Sequence, residues 1–254
     1  MHPSLRSVTH RPWPLPSRPW VMAQNWHDLL FAHWPVSADV MRRLLPETVE
    51  LDLYDRRAWI SIVPFRMSGV RLRAIPALPW LSAFPELNVR TYVTAGGKAG
   101  IWFFSLDAAN PVAVEIARLW FHLPYFRADM ESKAGPERIA YTSRRKDRRG
   151  GRERLVAAYS GHGPCFEAKR GTLEYFLTER YCLYTQRRNG ELLRGEIHHA
   201  PWKLAEASAS FQANTMLENL ELAIPGPPEA LHYSKLQEVI AWTPQKVLVP
   251  PHHL

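Results

Sequence analysis

Hydrophobic positions recur along this chain mostly with a period of two. Val49, Leu51 and Leu53 alternate with polar residues and so fall on one face of a strand, because successive strand side chains point to opposite sides. Tyr54 and Asp55 turn the chain, and AWISIVPF (58–65) is continuously apolar and rich in β-branched residues, the pattern of a strand buried on both faces. PELNVRTYV (85–93) and GIWFFSLDA (100–108) flank a glycine turn and predict a hairpin. RIAYTS and LVAAYS predict a second hairpin with the basic segment 144–154 at its tip. YCLYTQRR and ELLRGEIHH predict a third around Asn189-Gly190, which tolerates the positive φ of a two-residue turn. PWKLAEASASFQ reads as one more strand.

Helical punctuation is sparse. Ser37 caps ADVMRRLL, which Pro46 stops; Asn110 and Pro111 open VAVEIARLWFHL, which must end before Pro124; and TLEYFLTER (172–180) is a third short helix. WVMAQNWHDLLFAHWPV (20–36) carries no helix signals, and residues 68–85, with Gly69, Pro76, Pro79 and Pro85, read as a long loop. Hairpins with a few short helices predict an α+β fold of mostly antiparallel strands, a curved sheet closing into a barrel or cone; so few helices argue against parallel βαβ winding. The expected organisation is a flexible, basic, proline-rich arm (1–19), one domain (20–220) and a proline-rich tail (221–254), with no internal repeat.

Composition changes this picture in three places. Ten Trp, nine Tyr and ten Phe among 254 residues suit a large core and are the side chains that line ligand cavities. The formal charge of +8 is local: Arg6, Arg11 and Arg18 in the arm and the segment RRKDRRGGRER account for all of it, leaving a neutral body. Phosphate recognition clusters cations over a folded face, so the pattern argues against nucleic acid. The two cysteines, Cys165 and Cys182, form no disulfide framework or zinc spacing; with no apolar run of membrane-spanning length and no signal peptide, the expectation is a cytoplasmic protein without a membrane partner. A homo-oligomer stays open.

Candidate chemistry centres on 86–93. Alternation puts Glu86, Asn88, Arg90 and Tyr92 on one face and Leu87, Val89, Thr91 and Val93 on the other. The pattern alone favours a solvent-facing polar side; inside a closed sheet the same face would hold a carboxylate and a guanidinium in low dielectric. Arg118 and His122 lie four apart on a predicted helix and are followed by Pro124-Tyr125, which would gather an imidazole and a phenol at one edge. His198 and His199, adjacent on a strand, point to opposite faces, and no HExxH occurs, so neither a metal nor another cofactor is expected. Glu179, Arg180, Tyr181 and Tyr184 sit at a helix-to-strand corner, where a buried ion pair is the expected role. The GxSxG elbow and the P-loop are absent.

In order and spacing, FPELNVRTYV, GIWFFSLDA, ARLWFHLPYFRADM, FLTERYCLY and IHHAPWKL resemble the bacterial YqjF-like proteins, a family of unknown function, over roughly 20–215. That family is similar in fold to acetoacetate decarboxylase, which implies a curved antiparallel sheet forming a cone around a cavity. The resemblance therefore turns the polar face of 86–93 inward and makes Glu86 and Arg90 the expected catalytic residues, with Asn88, Tyr92, Arg118, His122 and Tyr125 as ligand contacts. It does not carry over the imine mechanism, which needs a lysine perturbed by a neighbouring cation. Lys98, Lys133, Lys146, Lys169, Lys203, Lys235 and Lys246 include no adjacent pair, and Lys133 is the least poorly placed. Two functions remain in view: binding of a small carboxylate or carbonyl ligand, with lyase or isomerase chemistry that avoids an imine, or a non-catalytic interaction protein using the basic hairpin 144–154.

Overall fold

The computed structural model describes residues 2–77, 82–222 and 226–247. In chain order its main elements are β1 (Met22–Val36), α1 (Ala38–Arg43), β2 (Glu50–Leu51), β3 (Ala58–Leu72), β4 (Phe84–Ala95), β5 (Lys98–Ala108), α2 (Pro111–Phe121), β6 (Tyr125–Ala134), β7 (Ile139–Arg145), β8 (Arg154–Phe166), α3 (Leu173–Thr178), β9 (Cys182–Gln186), β10 (Leu192–His198), β11 (Leu204–Asn214), β12 (Ala230–Ala241) and β13 (Gln245–Lys246). The three predicted helices and three hairpins are present. Asn110 accepts from the backbone N–H of Val112 and Ala113 at 3.0 and 3.1 Å, which opens α2; Ser37 holds the N-cap position of α1 without a side-chain hydrogen bond.

All the strands belong to one mixed sheet, and its hydrogen bonds close into a ring because two strands have a divided edge. β5 pairs with β4 along one side; on the other it meets β9 at Ile101 and Trp102 and β6 at Leu106–Ala108, both in parallel. β12 pairs with β1 on one side and divides its other edge between β11 and β10. The strands β1, β3 and β4 thus form a wall common to two enclosures. On one side β7 and β8 complete a filled core, in which Leu30, Ile60, Ile62, Leu87 and Val89 from the wall pack with Tyr141, Leu155 and Tyr159. On the other side β9 and β10 leave a cavity. Residues 58–65 are buried throughout, as their unbroken apolar pattern required, because each face of the wall is covered.

Four expectations need correction. β5, α2 and β6 form a βαβ unit, since an eleven-residue helix suffices for the crossover that a parallel pair needs. The 68–85 loop is shorter than its prolines suggested: β3 runs to Leu72 and β4 starts at Phe84, while Pro79 lies outside the described residues. The segment expected as a tail from 221 contributes β12, which pairs with β1 from Met22–Ala241 to His33–Ala230; its end, 248–254, lies outside the described residues. Prolines flank this strand without entering it, so composition hid a central element.

The fourth correction concerns the arm, which docks on the far end of the sheet. The Arg11 side chain is 1% exposed; its Nη2 donates to Glu196 Oε2 at 2.9 Å and its Nη1 to the Ile197 carbonyl at 2.5 Å. Trp13 Nε1 donates to the same carboxylate, and the His10 ring stacks on His198. A buried guanidinium needs an acid, and the acid lies 185 residues away in sequence, so no local pattern announced it. At the adjoining helix-to-strand corner, where Arg11 lies over the Tyr181 ring, Arg180 pairs with Asp52 at 2.6 Å, while Glu179 accepts from Tyr181 and from the Trp202 backbone N–H. The expected ion pair therefore exists with a different acid. Arg11→Ala should lower the unfolding free energy by about 2–3 kcal/mol, because Glu196 keeps Lys98 at 2.7 Å; urea denaturation with an unchanged slope is the check. A shift below 0.5 kcal/mol, taken roughly as the usual surface effect, would mean that the arm contributes nothing to the fold.

Candidate ligand cavity

Because Leu87 and Val89 face the filled core, alternation along β4 sends Glu86, Asn88 and Arg90 through the other face of the wall. There they line a cavity of about 390 Å³. Its walls are apolar and aromatic: Trp26 and Phe31 of β1, Val63 and Phe65 of β3, Phe103 and Leu106 of β5, Leu183 of β9, Trp202, and Ala117 and Phe121 of α2. At the Arg90 end α3 closes it, where the Leu177 carbonyl accepts from Arg90 Nη2 at 3.2 Å and from the Tyr92 hydroxyl at 3.0 Å.

Glu86 is 2% exposed and accepts from the Tyr125 hydroxyl at 2.9 Å. Burial pushes its carboxyl up to about 8; the Tyr125 hydrogen bond opposes this shift and the charge of Asp107 adds to it. Glu86 therefore keeps its proton at neutral pH and sits near the value at which a carboxyl can serve as either acid or base. Tyr125 is pushed far above its ordinary value by burial and by Glu86, and remains a neutral donor. Asp107 is itself raised to about 6 by burial, against the pull of Arg145, whose Nε donates to Asp107 Oδ1 at 2.8 Å. Arg90 is 6% exposed, lies with its guanidinium 5.4 Å from the Phe31 ring centroid, and is depressed by burial. Among the described residues its Nε and the Oδ1 of Asn88 have no hydrogen-bond partner. Beside Arg71, Arg180 and Glu196, the mostly apolar cavity thus joins a cation with no acid partner among the described residues, a neutral carboxylic acid and an acceptor with no partner among them.

Of the seven residues singled out in the sequence, Glu86, Asn88, Arg90 and Tyr125 line this cavity and three do not. Tyr92 continues the polar face, but α3 packs onto the wall at its level; its hydroxyl is engaged with Ser61 Oγ at 2.7 Å and its ring packs with Trp59 and Leu177. Arg118 donates to the Tyr125 carbonyl at 2.6 Å and anchors the start of β6 from outside. His122 has left the helix: at φ 55° it forms the left-handed C-cap of α2, its carbonyl accepts from Thr185 Oγ1, and the four-residue face shared with Arg118 is lost. Trp26, Phe31 and Trp202 reach the cavity from remote segments with no local signal in their own residues, and Arg180 and His199, singled out only for an ion pair and a rejected metal site, reach it as well.

None of the described lining residues is a lysine. Lys98 pairs with Glu196, and the Lys133 side chain is 70% exposed on β6, where it meets Glu131. His198 and His199 bond backbone carbonyls of Ser4, Ala200 and Arg180, and burial lowers both to about 4. The basic hairpin is largely neutralised: Arg144 and Lys146 meet Asp129, Arg145 meets Asp107 and Glu153, and Arg149 meets Asp147 and Glu115. Among the described residues no helix is long and apolar enough to cross a membrane.

Comparison with known proteins agrees with this architecture. The model of the DUF2071 family of uncharacterized conserved proteins matches residues 23–238. The uncharacterized protein YqjF of Bacillus subtilis (strain 168) is 46% identical over 232 residues, 91% of this chain and 95% of its own. The fold is that of acetoacetate decarboxylase: the enzyme from Legionella pneumophila superposes with a TM-score of 0.62 over 95% of this chain and 94% of its own, at 12% identity. MppR, an enduracididine biosynthesis enzyme solved with pyruvate, gives 0.59 over 96% and 95%, at 11% identity. At such identities the likeness speaks for fold alone.

Glu86 should leave a signature in stability. An unfolded glutamate ionises near 4.5, whereas Glu86 keeps its proton to about 8, so between these values the native state holds the extra proton and stability falls as pH rises, levelling off above 8. Glu86→Gln removes that dependence. Its unfolding free energy should gain on the wild type by roughly 5 kcal/mol across this window, read from urea titrations at several pH values. Parallel profiles for the two proteins would show that Glu86 ionises normally.

Proposed function

The chain belongs to the DUF2071 family of uncharacterized conserved proteins, and from its cavity we propose that it binds a small organic acid or an enolisable carbonyl compound, with Arg90 holding the carboxylate or enolate oxygen and Glu86 exchanging a proton with the ligand. The observation that carries this reading is Arg90. Arginine keeps its charge in proteins, and a buried guanidinium without an acid partner among the described residues is costly unless an anion completes it. MppR, whose solved complex contains pyruvate, offers a keto acid as an example of such a ligand in a neighbouring fold member.

The groups at hand support proton transfer rather than imine formation, because the described lining supplies no amine. As a carboxylate, Glu86 takes the proton from the carbon next to a carbonyl; the C–H electrons pass into the enolate, whose oxygen faces Arg90. Returned to a different carbon, the proton completes an isomerisation. When the enolate arises instead by loss of carbon dioxide from a β-keto acid, the protonated Glu86 quenches it. Tyr125 holds the Glu86 carboxyl in place through either reaction.

Thermal denaturation with small carboxylic and β-keto acids tests the binding step. A ligand at a hundred times its Kd should raise the wild-type Tm by about 5–10 °C and leave Arg90→Gln unmoved. For a ligand that binds, Glu86→Gln should retain the Tm shift and lose exchange of the α-hydrogen with D2O, followed by NMR. Equal stabilisation of wild type and Arg90→Gln would refute the anion site.

A further inference from the structure

The rest of the cavity narrows the ligand, on the reading just given. Starting from α3, the cavity face of β4 runs Arg90, Asn88, Glu86, Phe84, and the register with β3 places Ser61 beside Arg90 and Met67 beside Phe84. Along β4 the polar groups therefore lie toward the closed end, while Gln24, Arg71 and Glu196 line the cavity from other strands. Arg90 and Phe84 are about 20 Å apart along the strand at its usual rise per residue. Three lining residues are also exposed, and a residue that both lines a cavity and meets solvent marks its mouth: Ile75 at 49%, which follows the end of β3 that runs past Phe84, Ile116 at 39% and Trp120 at 54%, with Arg71 as the charged member of the same rim. Phe31 and Phe103 lie level with the cation, Phe65 lies beside Glu86, and Phe121 of α2 also lines the wall.

A two- or three-carbon acid at Arg90 would leave most of this volume empty. At the roughly 30 Å³ that a small group occupies in a liquid, 390 Å³ holds about a dozen non-hydrogen atoms. A mouth rimmed by exposed apolar side chains is an unfavourable surface for a soluble domain unless something apolar passes through it. We propose that the ligand is an amphipathic monocarboxylate, whose head group sits at Arg90 and whose apolar body runs past the phenylalanines to the opening between α2 and residues 70–76. The body carries on the order of eight carbons, set by the volume left after the head group.

Calorimetric binding of straight-chain acids from acetate to decanoate, with alcohols of matching length, tests this on wild type, Arg90→Gln and Trp120→Glu. Each added methylene should tighten binding by about three- to fourfold until the body fills the cavity. Trp120→Glu should weaken octanoate and decanoate while leaving acetate and butyrate unchanged. Arg90→Gln should weaken every acid and spare the alcohols, whose retained binding also reports that the variant is folded. Acids that need Arg90 but bind equally at every length would overturn the amphipathic ligand and leave the anion site standing. Alcohols that match acids, with no effect of Arg90→Gln, would overturn the anion site and with it the assigned head group. Absence of binding across the series would overturn both.

Discussion

A β-strand can serve two interiors at once because its side chains alternate, and the wall of β1, β3 and β4 depends on that property throughout. Leu87, Val89 and Val93 are committed to the filled core, so the intervening positions have to face the second enclosure. Closure of that enclosure rests in turn on the divided edges of β5 and β12, each of which pairs with two strands on one side. A one-residue slip of β4 would drive Glu86 and Arg90 into the aliphatic core and send Leu87 and Val89 to the cavity. Register, core and cavity are consequently a single constraint.

The burial of charge follows one rule with one exception. Arg11, Arg145 and Arg180 are buried and each meets a carboxylate, Glu196, Asp107 and Glu153, or Asp52. Arg90 is the buried arginine that has none among the described residues, and Glu86, four positions along the same strand face, is held neutral by its surroundings. Pairing would have stabilised both at the expense of reactivity. Kept apart in an apolar cavity, a cation and a protonatable carboxyl are free to act on something else, which is how environments divide roles between ionisable groups in active sites.

The likeness to acetoacetate decarboxylase places the cavity within a known architecture but does not transfer its chemistry. A fold fixes where side chains converge, and the side chains present decide what happens there. In this chain the described lining carries Arg90, Glu86, Asn88 and Tyr125, with Arg71, Arg180, Glu196 and His199, among aromatic and aliphatic residues and no amine.

Much of the local structure was legible in the residues themselves. The period-two runs, the Gly96-Gly97 and Asn189-Gly190 turns and the Asn110-Pro111 start of α2 depend on interactions within a few residues, and the sequence contains those in full. The polar row of β4 was readable as a row, yet the pattern by itself favoured water on that side. Its burial depends on β9, β10 and α2, which arrive from elsewhere in the chain, as do the α3 contacts that remove Tyr92 from the cavity. The docking of Arg11 on Glu196 and the central place of β12 were hidden for the same reason: both join segments about two hundred residues apart, where composition suggested only loose ends. Periodicity determined which side chains share a face, and only the closed sheet decided what that face meets, because burial depends on contacts between segments that no local window contains.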